Sequence, residues 1–318
     1  MIKKSVQLVE KLLFTVLFLS LAFVGGFELY LNSSTRLDKR EIFIPQGSNK
    51  KVVSHLQKKE GINLTFIDAY ILSSYGGAKS GFVRFSSNNI PRRKFLKELA
   101  HPTLLMQNLL FIPGETTHFF FKSIATKLNL SYDKLMDEYK KLSPYSEGVI
   151  LADTYRVAVN MKEKGVVAYL LKFSIAKHKR LAKKYFGDYD QKSWFKKITI
   201  ASIIQKEAGS IAEMPKISSV IYNRIQKGMK LQMDGTLNYG KYSHTKITSS
   251  RIKTDSSNYN TYKIEGLPKN PVSCVQIEAI DAAINPTKTK YLYFVKGKAN
   301  EHIFATTYQK HLSNIHRK

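Results

Sequence analysis

Leu12 to Phe27 is an unbroken run of apolar and small residues (LLFTVLFLSLAFVGGF). Carried through Glu28 to Leu31 it makes a stretch of 20 residues, or about 30 Å of helix at ~1.5 Å per residue, enough to cross a bilayer. Lys3, Lys4 and Lys11 precede it, which predicts a cytoplasmic N-terminus. Tyr30 falls where the far interface would be. Nothing like Ala-x-Ala follows, so an uncleaved anchor is preferred to a cleaved signal peptide. The pattern predicts one crossing, with residues 1–11 cytoplasmic, 12–31 in the membrane and the bulk outside the cytoplasm.

Beyond it, residues 32–40 (NSSTRLDKR) read as a short polar linker. A strand–turn–helix pattern then occurs twice. EIFIPQGS at 41–48 leads into Val52, Val53 and Leu56, and LLFIPGET at 109–116 leads into Phe120, Ile124 and Leu128. Each reads as a strand, an Ile-Pro turn with glycine, a capping Ser or Thr and an amphipathic helix. Chance recurrence of a common turn is the competing explanation. Between the two, GFVRF (81–85) predicts a strand and Pro91 to Leu99 a short helix. From 131 the pattern is mainly helical: Gly165–Phe186, Trp194–Ala208 and Pro215–Lys227, then a helix at Val275–Ile284, a strand at Tyr291–Val295 and a helix near Thr306–Ile315. The expected fold class is α+β.

Composition narrows the possibilities. A hydrophobic fraction of 43% argues against disorder. The one cysteine, Cys274, excludes an internal disulfide, a zinc ribbon and Cys-x-x-Cys chemistry. The eight histidines form no His-Glu-x-x-His, so neither metal nor other cofactor is expected. The formal charge is +27, of which residues 1–30 carry only +1. That field suits a polyanion (nucleic acid, anionic lipid or acidic wall polymer) or is simply a solvated, lysine-rich surface. An exported domain meets wall and lipid first, and no nucleic-acid readout motif is present, so nucleic acid is not expected as a partner. Lys172, Lys177, Lys179, Arg180, Lys183 and Lys184 form a stripe on one helix, read as a solvated face or a headgroup-binding one.

One carboxylate stands out. In ITIASIIQKEAGS, at 100° per residue, Ile200, Ile203 and Ile204 lie within about 60° of Glu207. Glu207 therefore ends an apolar stripe, where a carboxyl is either paired or used. Partial burial would raise its pKa and keep it protonated near neutral pH. Gly209 then ends the helix in this reading and leaves room beside the carboxyl. Arg224 on the next helix offers the alternative of a structural ion pair. Downstream, Asn223, Gln232, Asp234 and Thr236, then Tyr259, Asn260, Thr261 and Tyr262, supply amides, hydroxyls and rings in the density that suits a sugar polymer, although each tyrosine taken singly reads better as core.

These residues form a recognisable set. Lys206-Glu207 with Gly209, Asn223-Arg224, Gly228-Met229, Leu231-Gln232, Asp234, Thr236, Tyr259-Asn260-Thr261-Tyr262, Gly266-Leu267-Pro268 and Tyr291 to Val295 resemble the endolytic murein transglycosylases of the MltG/YceG-like family. Glu147-Gly148 and Asp153-Thr154-Tyr155 extend the match upstream. Four places depart from the family pattern. Gln205 stands where relatives have Glu, Gly235 stands where a Thr-Asp-Pro-Thr segment has Pro, Ala152 replaces a Pro, and Lys269-Asn270 replace Pro-Gly.

The resemblance implies Glu207 as catalytic residue and a lytic transglycosylase reaction that leaves 1,6-anhydro-MurNAc ends. It implies substrate contacts from Asn223, Gln232, Asp234, Thr236, Tyr155, Asp153, Tyr259 and Asn260. It divides the chain into a small LysM-like α+β glycan-binding module over 32–140 and a mainly helical α+β catalytic domain over 141–318. It implies peptidoglycan strands, the inner (cytoplasmic) membrane and peptidoglycan synthases as partners, a periplasmic or otherwise extracytoplasmic bulk, and a role in limiting strand length. A plain glycoside hydrolase and a catalytically idle wall-binding protein remain as other readings.

Overall fold

The structure is a computed structural model that describes residues 2–159, 161–297 and 301–317. Lys3 and Lys4, expected to flank the span, lie outside the residues whose side chains are described. The chain divides into two compact units, 1–107 with 158–160, and 108–157 with 161–318. The division falls at 107 rather than at the expected 140. The second strand–helix repeat has its own partners: Leu109, Phe111, Phe120 and Ile124 pack in the core of the second unit.

In the first unit, helix α1 (Ile2–Asn32) includes a stretch, 10–32, long and apolar enough to cross a membrane. The expected linker is not one. Strand β1 (Ser34–Arg36) follows at once and pairs antiparallel with β4 (Asn89–Pro91). Thr35 and Leu37 are buried beneath this pair, an inward alternation too short to be visible in a polar stretch. Strand β2 (Glu41–Ile44) pairs antiparallel with β3 (Gly81–Arg84), in a register that sets Ile42 opposite Val83. Helices α2 (Asn49–Glu60) and α3 (Phe66–Ser74) lie between them in the chain, and α4 (Arg92–Ala100) follows β4. Ser48 caps α2 through the Lys51 N–H, and Gly61, at φ 64°, closes it. Val52, Val53, Leu56, Leu72, Val83, Phe95 and Leu96 fill this core.

Strand β5 (Met106–Phe111) pairs with β6 (Asp153–Ala158). The second unit adds α5 (Thr117–Leu128), α6 (Tyr132–Leu142), α7 (Glu163–Phe186), α8 (Gln191–Glu207), α9 (Met214–Gln226), α10 (Ser249–Thr254) and α11 (Ile277–Ile284). The hairpin β7 (Tyr293–Lys296) and β8 (His302–Ala305) and helix α12 (Tyr308–His316) complete it. Helix α8 is its centre. Trp194, Phe195, Ile198, Ile200, Ala201, Ile203 and Ile204 are all buried, and the helix packs on α9 and α11. Asp190 caps its start through the Ser193 N–H. Buried His178 accepts from the Trp194 indole N–H at Nδ1 and donates to the Val149 carbonyl from Nε2, and burial pushes its pKa down to about 4. A neutral imidazole thus locks α7 to α8. The basic stripe of α7 is mostly solvated, though Lys177 pairs with Asp153 at 2.9 Å.

Candidate active site

Glu207 is the last residue of α8, one turn beyond buried Ile203 and Ile204. The backbone leaves the helix at extended Ala208, so Gly209 is not what clears space at the carboxyl. That role belongs to Gly235. Its N–H donates to Glu207 Oε1 at 2.7 Å. A Cβ on Gly235 would sit 2.7 Å from Lys206 Cβ and 2.9 Å from that same oxygen, so only glycine fits without displacement.

The approach of Gly235 is held from a distance. Gln232, at φ 48°, turns the chain through a conformation that costs a non-glycine residue about 1 kcal/mol or more. Thr261 pins this turn, accepting the Gln232 N–H at its carbonyl and the Met233 N–H at its hydroxyl, both at 3.0 Å. Thr236 hydrogen-bonds the Met233 carbonyl and the Thr261 hydroxyl. The turn over Asp234–Leu237 then presents the Gly235 N–H.

Glu207 opens onto a cavity of about 390 Å³. Gln232, Asp234 and Tyr262 line one part, and Tyr293, Phe294, Tyr308 and His311 another. Burial raises the Glu207 pKa to about 7, with nearby Asp234 adding to the rise. The Gly235 N–H and the positive charge of Arg224 oppose it. The alternative of an ion pair is not realised. The Arg224 guanidinium donates instead to the carbonyls of Leu292 (2.7 Å) and Leu231 (2.5 Å), tying α9 to the strand and turn that border the cavity. A carboxyl that holds its proton near neutrality inside a polar and aromatic cavity can act as an acid towards a bound oxygen. Among the described residues, no group of three or more His, Cys, Asp or Glu is placed to hold a metal ion.

Of the expected substrate contacts, Gln232 and Asp234 reach this cavity, and the Asp234 carboxylate accepts from the Tyr262 hydroxyl at 2.7 Å. The others do structural work. Asn223 donates to the carbonyls of Thr289 and Tyr291. Tyr155 is buried, its hydroxyl bonded to the Leu151 carbonyl and to Ser174. Asp153 holds Lys177, and Thr236 closes its own turn. Asn260 is fully buried and donates to the carbonyls of Ile252 and Asp255. Tyr259 stacks on Tyr239 with ring centroids 4.3 Å apart. Asp153 apart, which pairs with a lysine, each of these satisfies backbone or packs a ring, a duty the sequence pattern does not distinguish from sugar binding. Tyr262 reaches the cavity from the stretch expected to suit a sugar; Tyr293 and Phe294 stand in a noted motif without an assigned part, and no signal in the sequence points to Tyr308 and His311 of α12.

The departure at Gln205 is turned away from this cavity. Its Oε1 accepts the Gln276 N–H at 3.2 Å, at the start of α11.

The family model of the YceG-like family matches residues 42–317. An endolytic murein transglycosylase of Bacillus subtilis is 39% identical over 117 residues, 36% of this chain and 32% of the relative. One from Streptococcus pneumoniae is 28% identical over 177 residues, 53% of this chain and 31% of the relative. The matched part is thus about a third of each relative's length. The crystal structure of a putative YceG-like protein from Listeria monocytogenes aligns with a TM-score of 0.55 at 25% identity, covering 87% of this chain and 99% of that one.

Proposed function

We propose, for a chain that belongs to the YceG-like family and ends its central helix on a protonated carboxyl, that it cleaves peptidoglycan glycan strands as a lytic transglycosylase. The observation that carries this is Glu207, raised to about 7 at the wall of a cavity bordered by Tyr262, Tyr293 and Tyr308. Glu207 donates its proton to the oxygen between MurNAc and GlcNAc as the bond from that oxygen to the anomeric carbon breaks. The 6-hydroxyl of the same MurNAc attacks that carbon, and its proton returns to Glu207. The product is a 1,6-anhydro-MurNAc end, and no water is consumed. Gln232 and Asp234 hold the strand beside the acid, and the tyrosines offer faces on which sugar rings stack.

The first unit is read as the glycan-binding, LysM-like module. α1 crosses the inner membrane once, with the N-terminus cytoplasmic. Peptidoglycan synthases are the expected neighbours, and shorter nascent strands the expected outcome. Asp234 favours a second reading. It places another carboxylate on the cavity, and a plain hydrolase uses two. Mass spectrometry of fragments from purified sacculi separates the two, since hydrolytic ends are one water heavier than anhydro ends. Glu207→Gln should release neither, and anhydro ends from that variant would refute the assignment. A reporter fused to the C-terminus and found in the cytoplasm would refute the topology.

A further inference from the structure

The end of α1 is built into the first unit. The Tyr30 hydroxyl lies 2.6 Å from the Thr65 hydroxyl and accepts from Arg92 at 3.0 Å. Arg92 is itself buried against Asp68 at 2.6 Å, donates to Ser33 and to the Asn63 carbonyl, and sits over the Tyr30 ring. Leu31 is 4% exposed, and Arg93 pairs with Glu28. A pair as dry as Arg92–Asp68 holds its geometry, because separating it leaves a buried charge alone. That fixed pair is the platform against which Tyr30 and buried Leu31 seat the last turn of α1 on the unit.

Thr65 is the residue that caps α3. Helical side chains lean towards the N-terminus, so the Tyr30 hydroxyl lies level with or below its own turn, on the side of the apolar run. The first turn of α3 thus stands beside the last turn of the span. It presents to solvent what a soluble surface normally hides: Phe66 is 74% exposed and Tyr70 60%. At 100° per residue Phe66, Tyr70 and Ile67 fall within about 100° of one another, and buried Asp68, Ala69 and Leu72 occupy the opposite side. Lys50 lies 5.6 Å from the centre of the Tyr70 ring. A large exposed aromatic, a tyrosine and a lysine at the level where a span ends is the chemistry of a headgroup layer.

We infer that the first turn of α3, with Phe66, Ile67 and Tyr70, seats in the headgroup region of the bilayer that α1 crosses. This rests on the reading of α1 as a membrane span. The contact fixes the first unit at a set height and tilt over the lipid, where a single flexible tether would let it swing.

The test uses the full chain in phosphatidylcholine–phosphatidylglycerol vesicles. A polarity-sensitive fluorophore is attached at Phe66→Cys, Tyr70→Cys, Leu21→Cys or Lys79→Cys, with the wild type, whose Cys274 is buried, as the blank. Lys79 is exposed and lies beyond the opposite end of α3. The labels at 66 and 70 should shift to the blue of the label at 79 and be quenched by lipids spin-labelled near the headgroup. The label at 21 should be quenched best by lipids labelled deep in the chain. Emission and quenching at 66 equal to those at 79, with 21 quenched, would overturn the α3 contact alone. A label at 21 that no lipid quenches would overturn the span, and the contact with it.

Discussion

A carboxyl kept protonated by burial makes a stability prediction that is separate from catalysis. Glu207 ordinarily would titrate at 4.5 and is raised to about 7. Between those values the native state binds a proton that the unfolded chain has released, so stability falls as pH rises through this window and stays lower above it. At ~1.4 kcal/mol per tenfold change, the loss is under about 1 kcal/mol at pH 5 and about 3 kcal/mol at pH 8. Glu207→Gln keeps an oxygen that accepts from Gly235 and has nothing to ionise. Its advantage over the wild type should therefore grow by about 2–3 kcal/mol from pH 5 to pH 8, or roughly 5–10 °C in melting temperature for a domain of this size. Thermal unfolding of both proteins at the two pH values measures this directly. The same carboxyl, acting as the acid, makes wild-type cleavage fall above about pH 7, towards tenfold per pH unit. A stability difference that does not move in favour of the variant between about pH 5 and about pH 8, or cleavage still rising from about pH 7 to about pH 9, would refute the reasoning.

Other perturbations probe the surroundings. Gly235→Ala forces apart a Cβ and two neighbours now less than 3 Å away, so cleavage should fall. The N–H that favours the ionised carboxyl is weakened as well, so the residual activity should persist to higher pH in a pH–rate profile. Tyr155→Phe removes the hydrogen bonds to Leu151 and Ser174 and should cost about 1–2 kcal/mol in denaturant unfolding, with cleavage per folded molecule unchanged. Loss of cleavage without loss of stability would return Tyr155 to the site. Arg92→Met leaves Asp68 buried without its partner and should destabilise the first unit by about 3–5 kcal/mol, read from its melting transition.

What was legible in the sequence is what repeats at short range. The isoleucine stripe that ends on Glu207 is a matter of 3.6-residue periodicity, and α8 keeps it. The strand at 41–44 and its following helix were readable for the same reason. Several residues expected at the substrate have a structural duty that the sequence does not reveal. Asn223, Asn260 and Tyr155 belong to a polar motif, but each is directed at main-chain carbonyls in irregular or partly covered segments, which must find donors somewhere. A sequence states that donors are present without stating which acceptors the fold leaves open. The supposed linker failed similarly: β1 is three residues long, and its partner β4 lies more than fifty residues away. The contribution of α12 to the cavity depends on the return of β7 and β8, which no local pattern encodes.

The two departures nearest the acid turn out to be of opposite kinds. Gln205 stands where the resemblance leads one to expect Glu, yet its side chain meets the backbone of Gln276, and an amide oxygen accepts that N–H as a carboxylate would. That partner lies at the start of α11 and not at the acid. Gly235 stands where the family pattern carries Pro, and there the difference is chemical. Proline has no N–H, whereas the Gly235 N–H is the one that holds Glu207 Oε1, in a space that no Cβ can enter without displacing Lys206 or the carboxyl itself. Hydrogen bonding to the ionised form lowers a carboxyl pKa, so in this chain glycine moderates a rise that burial alone would carry further. Gly235→Pro should therefore shift the descending limb of the pH–rate profile upward beyond the effect of Gly235→Ala, because it removes the donor as well as crowding the oxygen. A profile that does not move would refute the claim that the Gly235 N–H moderates the rise in the Glu207 pKa.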